Sequence, residues 1–155
     1  MNFWENINEQ FEIYDEWEED MLEINAKSEN MSELEQFASF PLPLDYKQYL
    51  QHSPISAFVL KEKNAAILDF WNILDVLSQQ DNYPFLEDEL NGKILVVGTD
   101  LGDSFYFLGE GQDGFGFYLV DAGSGDYYDE AVKIADSIED YISQGIGIEV
   151  VKKEL

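Results

Sequence analysis

The stretch from Ile94 to Asp121 constrains the fold of this chain more than any other part of its sequence. It contains three short apolar runs, ILVV, SFYFL and FGFYLV, separated by turns of Gly and Asp. Runs of this length and composition predict strands, and strands that are almost wholly apolar are expected where both faces of a sheet are covered. The stretch therefore predicts a three-stranded meander at the centre of a sheet.

One glycine pattern in this stretch imitates a nucleotide-binding motif. Gly109 to Gly114 reads G-x-G-x-x-G after a predicted strand. A dinucleotide site needs a helix next, because the helix N-terminus holds the pyrophosphate. The following residues, FGFYLV, are those of a strand, and Glu110 and Asp113 would repel phosphate. We therefore predict a hairpin turn at this position and no dinucleotide cofactor.

Further elements are predicted on both sides of the meander. Residues 2–25 place apolar residues near helical spacing between acids, which predicts an amphipathic, strongly acidic N-terminal helix. Ser32 and Glu35 form a capping box for a second helix that ends before Pro41, and Pro43 begins a third. The rest is predicted as a hairpin (AFVLK and AAILDF), a helix (WNILDVLSQ), an acidic turn (FLEDELNGK), a strand (AVKIA), a helix (DSIEDYISQG) and a last strand (GIGIEVVKKEL).

The charge of the chain limits its partners. The formal net charge is −25, and the chain contains no Arg. Residues 1–35 hold twelve acids against one Lys, and residues 100–140 hold eleven against one. Two interpretations stay open: a general gain in solubility, as in a salt-tolerant host, or a surface for a basic partner. Direct binding of nucleic acid is disfavoured because phosphate contacts need clustered Lys or Arg.

The sequence lacks the features of secreted and membrane proteins. It has no Cys, which excludes disulfides, a thiolate nucleophile and Cys-ligated zinc. The start, MNFWENINEQ, has neither the cationic residues nor the apolar run of a signal peptide. No apolar stretch approaches the roughly 20 residues that span a bilayer, and anionic lipids repel an acidic surface. We expect a cytoplasmic protein that does not bind membranes.

Residues for catalysis or metal binding are few. His52 is the only histidine, and it lies at a predicted helix end. At such a position an imidazole is often only a last-turn residue near the negative end of the helix dipole. Close carboxylate pairs occur, but 33 acids produce such pairs by chance, and none has EF-hand spacing. We predict no metal, no cofactor and no catalytic residues. A carboxylate-driven sugar hydrolase stays an alternative, because paired acids and aromatic residues suit that chemistry.

The segment DAGSGDYYDE, residues 121–130, is the best candidate for a partner contact. Two adjacent tyrosines lie between acids in a Gly-rich loop, which is typical of protein-binding hot spots, although packing residues would fit equally well. The turn after Thr99 adds further acids. The predicted partner-binding residues are Asp100, Asp103, Asp121, Asp126, Tyr127, Tyr128 and Asp129.

Three stretches, in this order, resemble the Smi/Knr-type domain of the SUKH superfamily. SELEQFASFPLPLDYKQYLQHS resembles its short helix, L-P-x-x-Y motif and following helix. ILVVGTDLGDSFYFL is similar to its apolar strand, G-[ST]-D turn and next strand, and VKIADSIEDYI to its closing strand, Ser and helix. They cover roughly residues 32–143. Residues 1–31 then form an acidic N-terminal helix and break, and residues 144–155 form a C-terminal extension.

The resemblance implies both a fold and a function. The fold is a single α+β domain over residues 1–155, with a twisted, mainly antiparallel sheet and helices packed against it. Bacterial members are typically immunity proteins that bind a polymorphic toxin, often a nuclease, whereas fungal members are linked to cell-wall glucan synthesis and signalling. We expect a non-enzymatic immunity protein that binds a basic toxin domain. The alternative is a regulatory or scaffold module of the cell-wall-assembly type that binds a non-toxin protein.

Overall fold

One antiparallel sheet, curled into a half-barrel, organises the part of the chain that the computed structural model describes, residues 2–38, 40–80, 94–124 and 126–154. Within these residues it has seven strands, and their order in the sheet is their order in the sequence. The strands are β1 (Phe11–Glu16), β2 (Ile55–Leu60), β3 (Ala65–Phe70), β4 (Ile94–Thr99), β5 (Ser104–Gly111), β6 (Gly114–Asp121) and β7 (Val132–Ala135).

Helices pack against this sheet, so the predicted α+β class is confirmed. In the described residues they are α1 (Glu19–Ala26), α2 (Ser28–Phe37), α3 (Leu44–His52), α4 (Ile73–Gln79), α5 (Tyr127–Glu130), α6 (Ile138–Gln144) and α7 (Ile148–Glu154). Short 3-10 helices cover Phe3–Glu5 and Lys61–Lys63. No helix among these residues is long and apolar enough to cross a membrane.

The β4–β5–β6 meander lies inside the sheet, as predicted, and it is buried on both faces. Successive side chains alternate between the main core, which the helices cover, and a second apolar cluster on the other face, called here the second face. Tyr106 stacks on Phe117 in the main core with ring centroids 5.2 Å apart, and Phe107 stacks on Tyr118 on the second face at 5.0 Å. The second face comprises Ile94, Val96, Phe105, Phe107, Tyr118, Val120 and Ala131.

β3 and β4 pair closely at one end only, where Asp69 faces Thr99 and Phe70 faces Gly98. A Cβ atom on Gly98 would lie 2.4 Å from the carbonyl oxygen of Asp69, so this close approach requires glycine. This contact explains the glycine of the G-[ST]-D motif by backbone packing.

Farther along β4, the buried side chain of Gln80 takes the place of a strand partner. Its Nε2 donates hydrogen bonds to the carbonyls of Val96 at 2.8 Å and Val76 at 2.7 Å. Its Oε1 accepts a bond from the backbone N–H of Val96 at 3.0 Å. One side chain therefore satisfies both backbone groups of a buried strand residue.

The predicted acidic N-terminal helix over residues 2–25 is wrong. The chain forms a 3-10 turn, then strand β1, and only Glu19–Ala26 is helical. β1 pairs with β2, whose buried apolar residues require a partner for the backbone on that edge. Tertiary pairing thus overrides the local pattern. Tyr14, which the helical spacing predicted on the apolar side, is 57% exposed, and the neighbouring Ile13 is 48% exposed.

The C-terminal tail is also a helix, α7, and not the predicted strand. Gly145 (φ 75°) ends α6 and Gly147 (φ 93°) follows, so two residues in the left-handed region separate α6 from α7. Ile148 and Val151 are both buried. Their spacing of three is helical, whereas the β-branched residues of the tail favoured a strand.

Other predictions differ in detail or are confirmed. α2 begins at Ser28 and not at the capping box of Ser32, and Leu44 is 65% exposed outside the buried stripe of α3. The β2–β3 hairpin, the α4 helix and the two-residue turn between Gly111 and Gly114 are confirmed. The sequence offers Asp136 or Ser137 as N-cap of α6 and Gly145 as its end; the structure uses Ser137 and confirms Gly145. The predicted acidic turn at residues 85–93 lies outside the described residues.

The Gln80 contacts predict a large stability effect. Gln80→Met keeps the length of the side chain but leaves the N–H and C=O of Val96 buried without these bonds. We expect a loss of about 2–3 kcal/mol in the free energy of unfolding, measured by urea denaturation. Gln36→Met on the exposed face of α2 is the matched control, with an expected change below about 0.5 kcal/mol. Equal effects of the two changes would refute the pairing role.

Candidate functional site

Three of the predicted acids meet at one end of the meander. Asp100 and Asp103 lie in the turn from β4 to β5, and Asp121 ends β6. Ser104 is paired with Asp121 in the β5–β6 register, and the carbonyl of Asp103 accepts a hydrogen bond from the N–H of Ala122 at 2.8 Å. The two turns therefore lie side by side. Between them is a cleft of about 420 Å³, whose lining includes Asp103, Asp121, Thr99 and Phe105.

Two of these acids hold the shape of their turns. The Oδ1 of Asp100 accepts hydrogen bonds from the N–H groups of Gly102 at 2.8 Å and Ser104 at 3.1 Å. Leu101, between Asp100 and Gly102, has a left-handed backbone (φ 61°), which is unusual for a branched side chain. The Oδ1 of Asp121 accepts a bond from Gly123 at 2.7 Å. These carboxylates act as Asx-turn acceptors.

The other predicted residues form α5, which packs on the second face. Asp126 caps this short helix, since its Oδ1 accepts a bond from the N–H of Asp129 at 3.1 Å. The hydroxyl of Tyr127 donates to the carbonyl of Ala122 at 2.8 Å, which ties α5 to the turn after β6. Tyr127 and Tyr128 are half-buried against the second face. Both tyrosines therefore have a packing role while part of each ring reaches the surface.

Asp103 and Asp129 are the candidates that the local structure uses least. Both are exposed. No described residue donates a hydrogen bond to the carboxylate of Asp103. The carboxylate of Asp129 accepts a long contact of 3.5 Å from Gln112 and lies beside the carboxyl group of Asp126. The hydrogen bond and the negative charge of Asp126 raise the pKa of Asp129 above its ordinary value. Negative charge is thus crowded at α5.

No lysine in the described part of the chain forms an ion pair with a carboxylate of this surface. Within the described ranges, the ion pairs join Lys133 to Asp136 at 2.7 Å and Lys152 to Glu62 at 2.5 Å and Glu149 at 3.3 Å. None of them includes a candidate residue. The surface therefore presents uncompensated carboxylates beside aromatic rings, which is suited to a cationic partner.

The described part of the chain contains no cluster of side chains arranged for metal binding or for histidine-dependent catalysis. No group of three or more His, Asp or Glu side chains there is placed to hold a metal ion. His52 is exposed at the last position of α3, as the sequence predicted.

Asp69 is a residue that the sequence analysis missed. It lies half-buried on β3, opposite Thr99 at the border of the cleft. Burial, together with the charges of Asp15 and Asp75, raises its pKa to about 6. The signal in the sequence is a single acid in an otherwise apolar run, AAILDF, whose pattern by itself predicts only a strand.

Asp69 predicts a pH effect on stability. Its folded pKa lies above the ordinary value of 3.8, so the folded state binds the proton more tightly, and this contribution to stability falls as pH rises from about 4 to about 6. Two pKa units correspond to about 3 kcal/mol, which solvent screening of a half-buried group reduces to about 1 kcal/mol.

Asp69→Asn removes this charge. We expect the variant to be more stable than the wild type by about 1 kcal/mol at pH 7.5, and the difference to disappear near pH 4. Urea denaturation at half-unit pH steps measures the effect. A constant difference at all pH values would contradict the assignment.

Substitutions at Asp100 and Asp103 distinguish the role of a carboxylate in turn formation from its contribution to surface charge. Asp100→Ala removes the acceptor of two backbone N–H groups and should cost about 1–2 kcal/mol of unfolding free energy. Asp103→Ala, the control in the same turn with the same change of charge, should cost less than about 0.5 kcal/mol. Thermal denaturation compares the two, and a larger loss for Asp103→Ala would reverse the assigned roles.

Comparison with known protein families identifies the family of this chain. The family model described as SMI1 / KNR4 family (SUKH-1) matches residues 25–144, which is 120 of the 155 residues. This range contains all three stretches whose motifs resemble the family. Comparisons with curated proteins and with solved structures gave no match. The chain belongs to the SMI1 / KNR4 (SUKH-1) family.

Proposed function

We propose that this protein is a non-enzymatic bacterial immunity protein, which binds a basic toxin domain of the nuclease class in the cytoplasm and neutralises it. The observation that supports this most is the uncompensated acidic surface around the cleft and α5, which also carries two half-buried tyrosines. Membership in the family supports a protein-binding module of this kind.

The proposed mechanism is imitation of nucleic acid. A nuclease contacts phosphates through Lys and Arg, and carboxylates on a rigid support provide similar charges at similar sites. Asp103 and Asp129 supply charge that attracts the partner over a distance, whereas Tyr127 and Tyr128 supply apolar contact area that slows dissociation.

The remaining acids act by preorganisation. Asp100, Asp121 and Asp126 already accept backbone hydrogen bonds, so the turns that present the contact residues are formed before the partner arrives. Less ordering on binding means that more of the contact energy appears as affinity.

The proposal predicts a toxin gene beside this one, and the test uses the domain that it encodes, purified as a catalytically inactive variant. Asp103→Asn combined with Asp129→Asn should lower the association rate constant by about 5-fold to 20-fold at low salt, with little change in the dissociation rate constant. Tyr128→Ala should mainly raise the dissociation rate constant, by about 10-fold. Stopped-flow fluorescence between 20 and 500 mM NaCl, salt concentrations spanning Debye lengths of roughly 20 Å to 4 Å, measures both constants.

The matched control is Glu33→Gln combined with Glu35→Gln on exposed positions of α2, which makes the same change of net charge away from the site. An association rate that does not depend on salt, or one that the control lowers equally, would exclude steering by the proposed surface. Co-purification from the native host adds a separate criterion. A cell-envelope or signalling protein in place of a toxin would support the regulatory or scaffold alternative.

A further inference from the structure

Among the described residues, the outer side of β1 is an open sheet edge. β1 pairs with β2 on one side, and no strand in the described residues pairs with its other side. Its residues Glu12–Glu16 are all exposed, so no described segment covers the strand. The opposite edge of the sheet differs, because the chain at Gly147 lies directly against β7. A Cβ atom on Gly147 would be 2.3 Å from the carbonyl oxygen of Ile134.

Charge distinguishes this edge from one that would join a second copy of the chain. Glu12, Asp15 and Glu16 give β1 three carboxylates and no positive charge. Two β1 edges that paired with each other would bring six carboxylates together, and like charges across a strand pair are destabilising. An extended segment with Lys or Arg would instead form cross-strand ion pairs with the same residues.

Two exposed apolar side chains indicate that this edge can bind a partner strand and is not only shielded against aggregation. Natural edges are usually shielded by charges and bulges, and β1 has a bulge at Tyr14, since Ile13 faces Phe58 and Asp15 faces Ala57. Charge shields an edge only against strands that are neutral or of like sign. Ile13 and Tyr14 are 48% and 57% exposed in the middle of the strand, where a partner strand would cover them.

We propose that the outer edge of β1 binds an extended, lysine- or arginine-rich protein segment by strand addition. Backbone hydrogen bonds to the open edge supply affinity, as in other cases of β-augmentation. The carboxylates of β1 select basic side chains of the bound segment. Ile13 and Tyr14 contact the apolar residues of that segment, which alternate with its basic residues. This surface is separate from the cleft and α5, and the proposal does not depend on the identity of a toxin.

The probe is an eight-residue peptide of alternating Lys and Val with blocked ends. The control peptide has the same side chains, but four consecutive backbone nitrogens carry methyl groups, which removes N–H donors along both of its edges while its charge is unchanged. We expect the control to bind at least about 10-fold more weakly, because two or more backbone bonds of about 1 kcal/mol each are lost. Calorimetry or fluorescence anisotropy at 50 and 300 mM NaCl measures both dissociation constants.

Protein variants locate the site. Glu12→Lys combined with Glu16→Lys should weaken the unmethylated peptide by about 10-fold or more, and Glu12→Gln combined with Glu16→Gln should weaken it less. Glu33→Lys combined with Glu35→Lys on α2 gives the same net charge as the first pair and should have little effect. Asp103→Asn combined with Asp129→Asn should also leave the peptide affinity unchanged, so failure here is distinguishable from failure of the proposed toxin surface. Circular dichroism and urea denaturation verify that each variant is folded.

Several results would overturn the proposal. Equal affinity for the methylated peptide would mean that charge alone attracts it, and the absence of binding would mean that the edge is only shielded. Equal weakening by the α2 variant would remove the localisation to β1. Sedimentation of the wild type as a dimer that Glu12→Lys with Glu16→Lys dissociates would assign the edge to a second copy.

Discussion

Burial of the β4–β5–β6 meander on both faces is the constraint on which the rest of the structure depends. The other helices cover one face of these strands and α5 lies against the other. The side chains on both faces are therefore apolar. Strands so enclosed cannot shift by one residue without exchanging the two faces. The register is therefore rigidly defined, and the turns at its end, with Asp100 and Asp121, are held in fixed positions.

The acids of this surface perform different tasks, although the sequence presents them as one group. Asp100, Asp121 and Asp126 accept backbone hydrogen bonds and maintain turns. Asp103 and Asp129 contribute mainly charge. A mutation that weakens partner binding through Asp100 would thus be ambiguous, since it would also alter the loop that presents Asp103. The function of this site is best tested at Asp103 and Asp129, because their substitution is expected to leave the fold unchanged.

Local patterns predicted the meander, the β2–β3 hairpin and the capped helix α6, because alternation, turn residues and caps act over a few neighbouring residues. β1 could not be predicted in this way. It is a strand because β2, some forty residues later, requires a partner. The cleft lies between the turn before β5 and the turn after β6, and the raised pKa of Asp69 arises partly from charges on β1 and α4. Such properties exist only after distant segments meet.

The placement of the charge bears on why the chain carries so much of it. Charge that serves solubility alone is cheapest at exposed, well-separated positions. Here Asp69 is half-buried near two other acids, and Asp126 raises the pKa of Asp129 in a four-residue helix. The arrangement around Asp69 costs stability in the free protein. A bound cation would relieve that cost and convert it into binding energy, since it favours the charged form of each carboxyl. The crowding of acids around Asp69 and α5 is therefore an argument for the proposed basic partner.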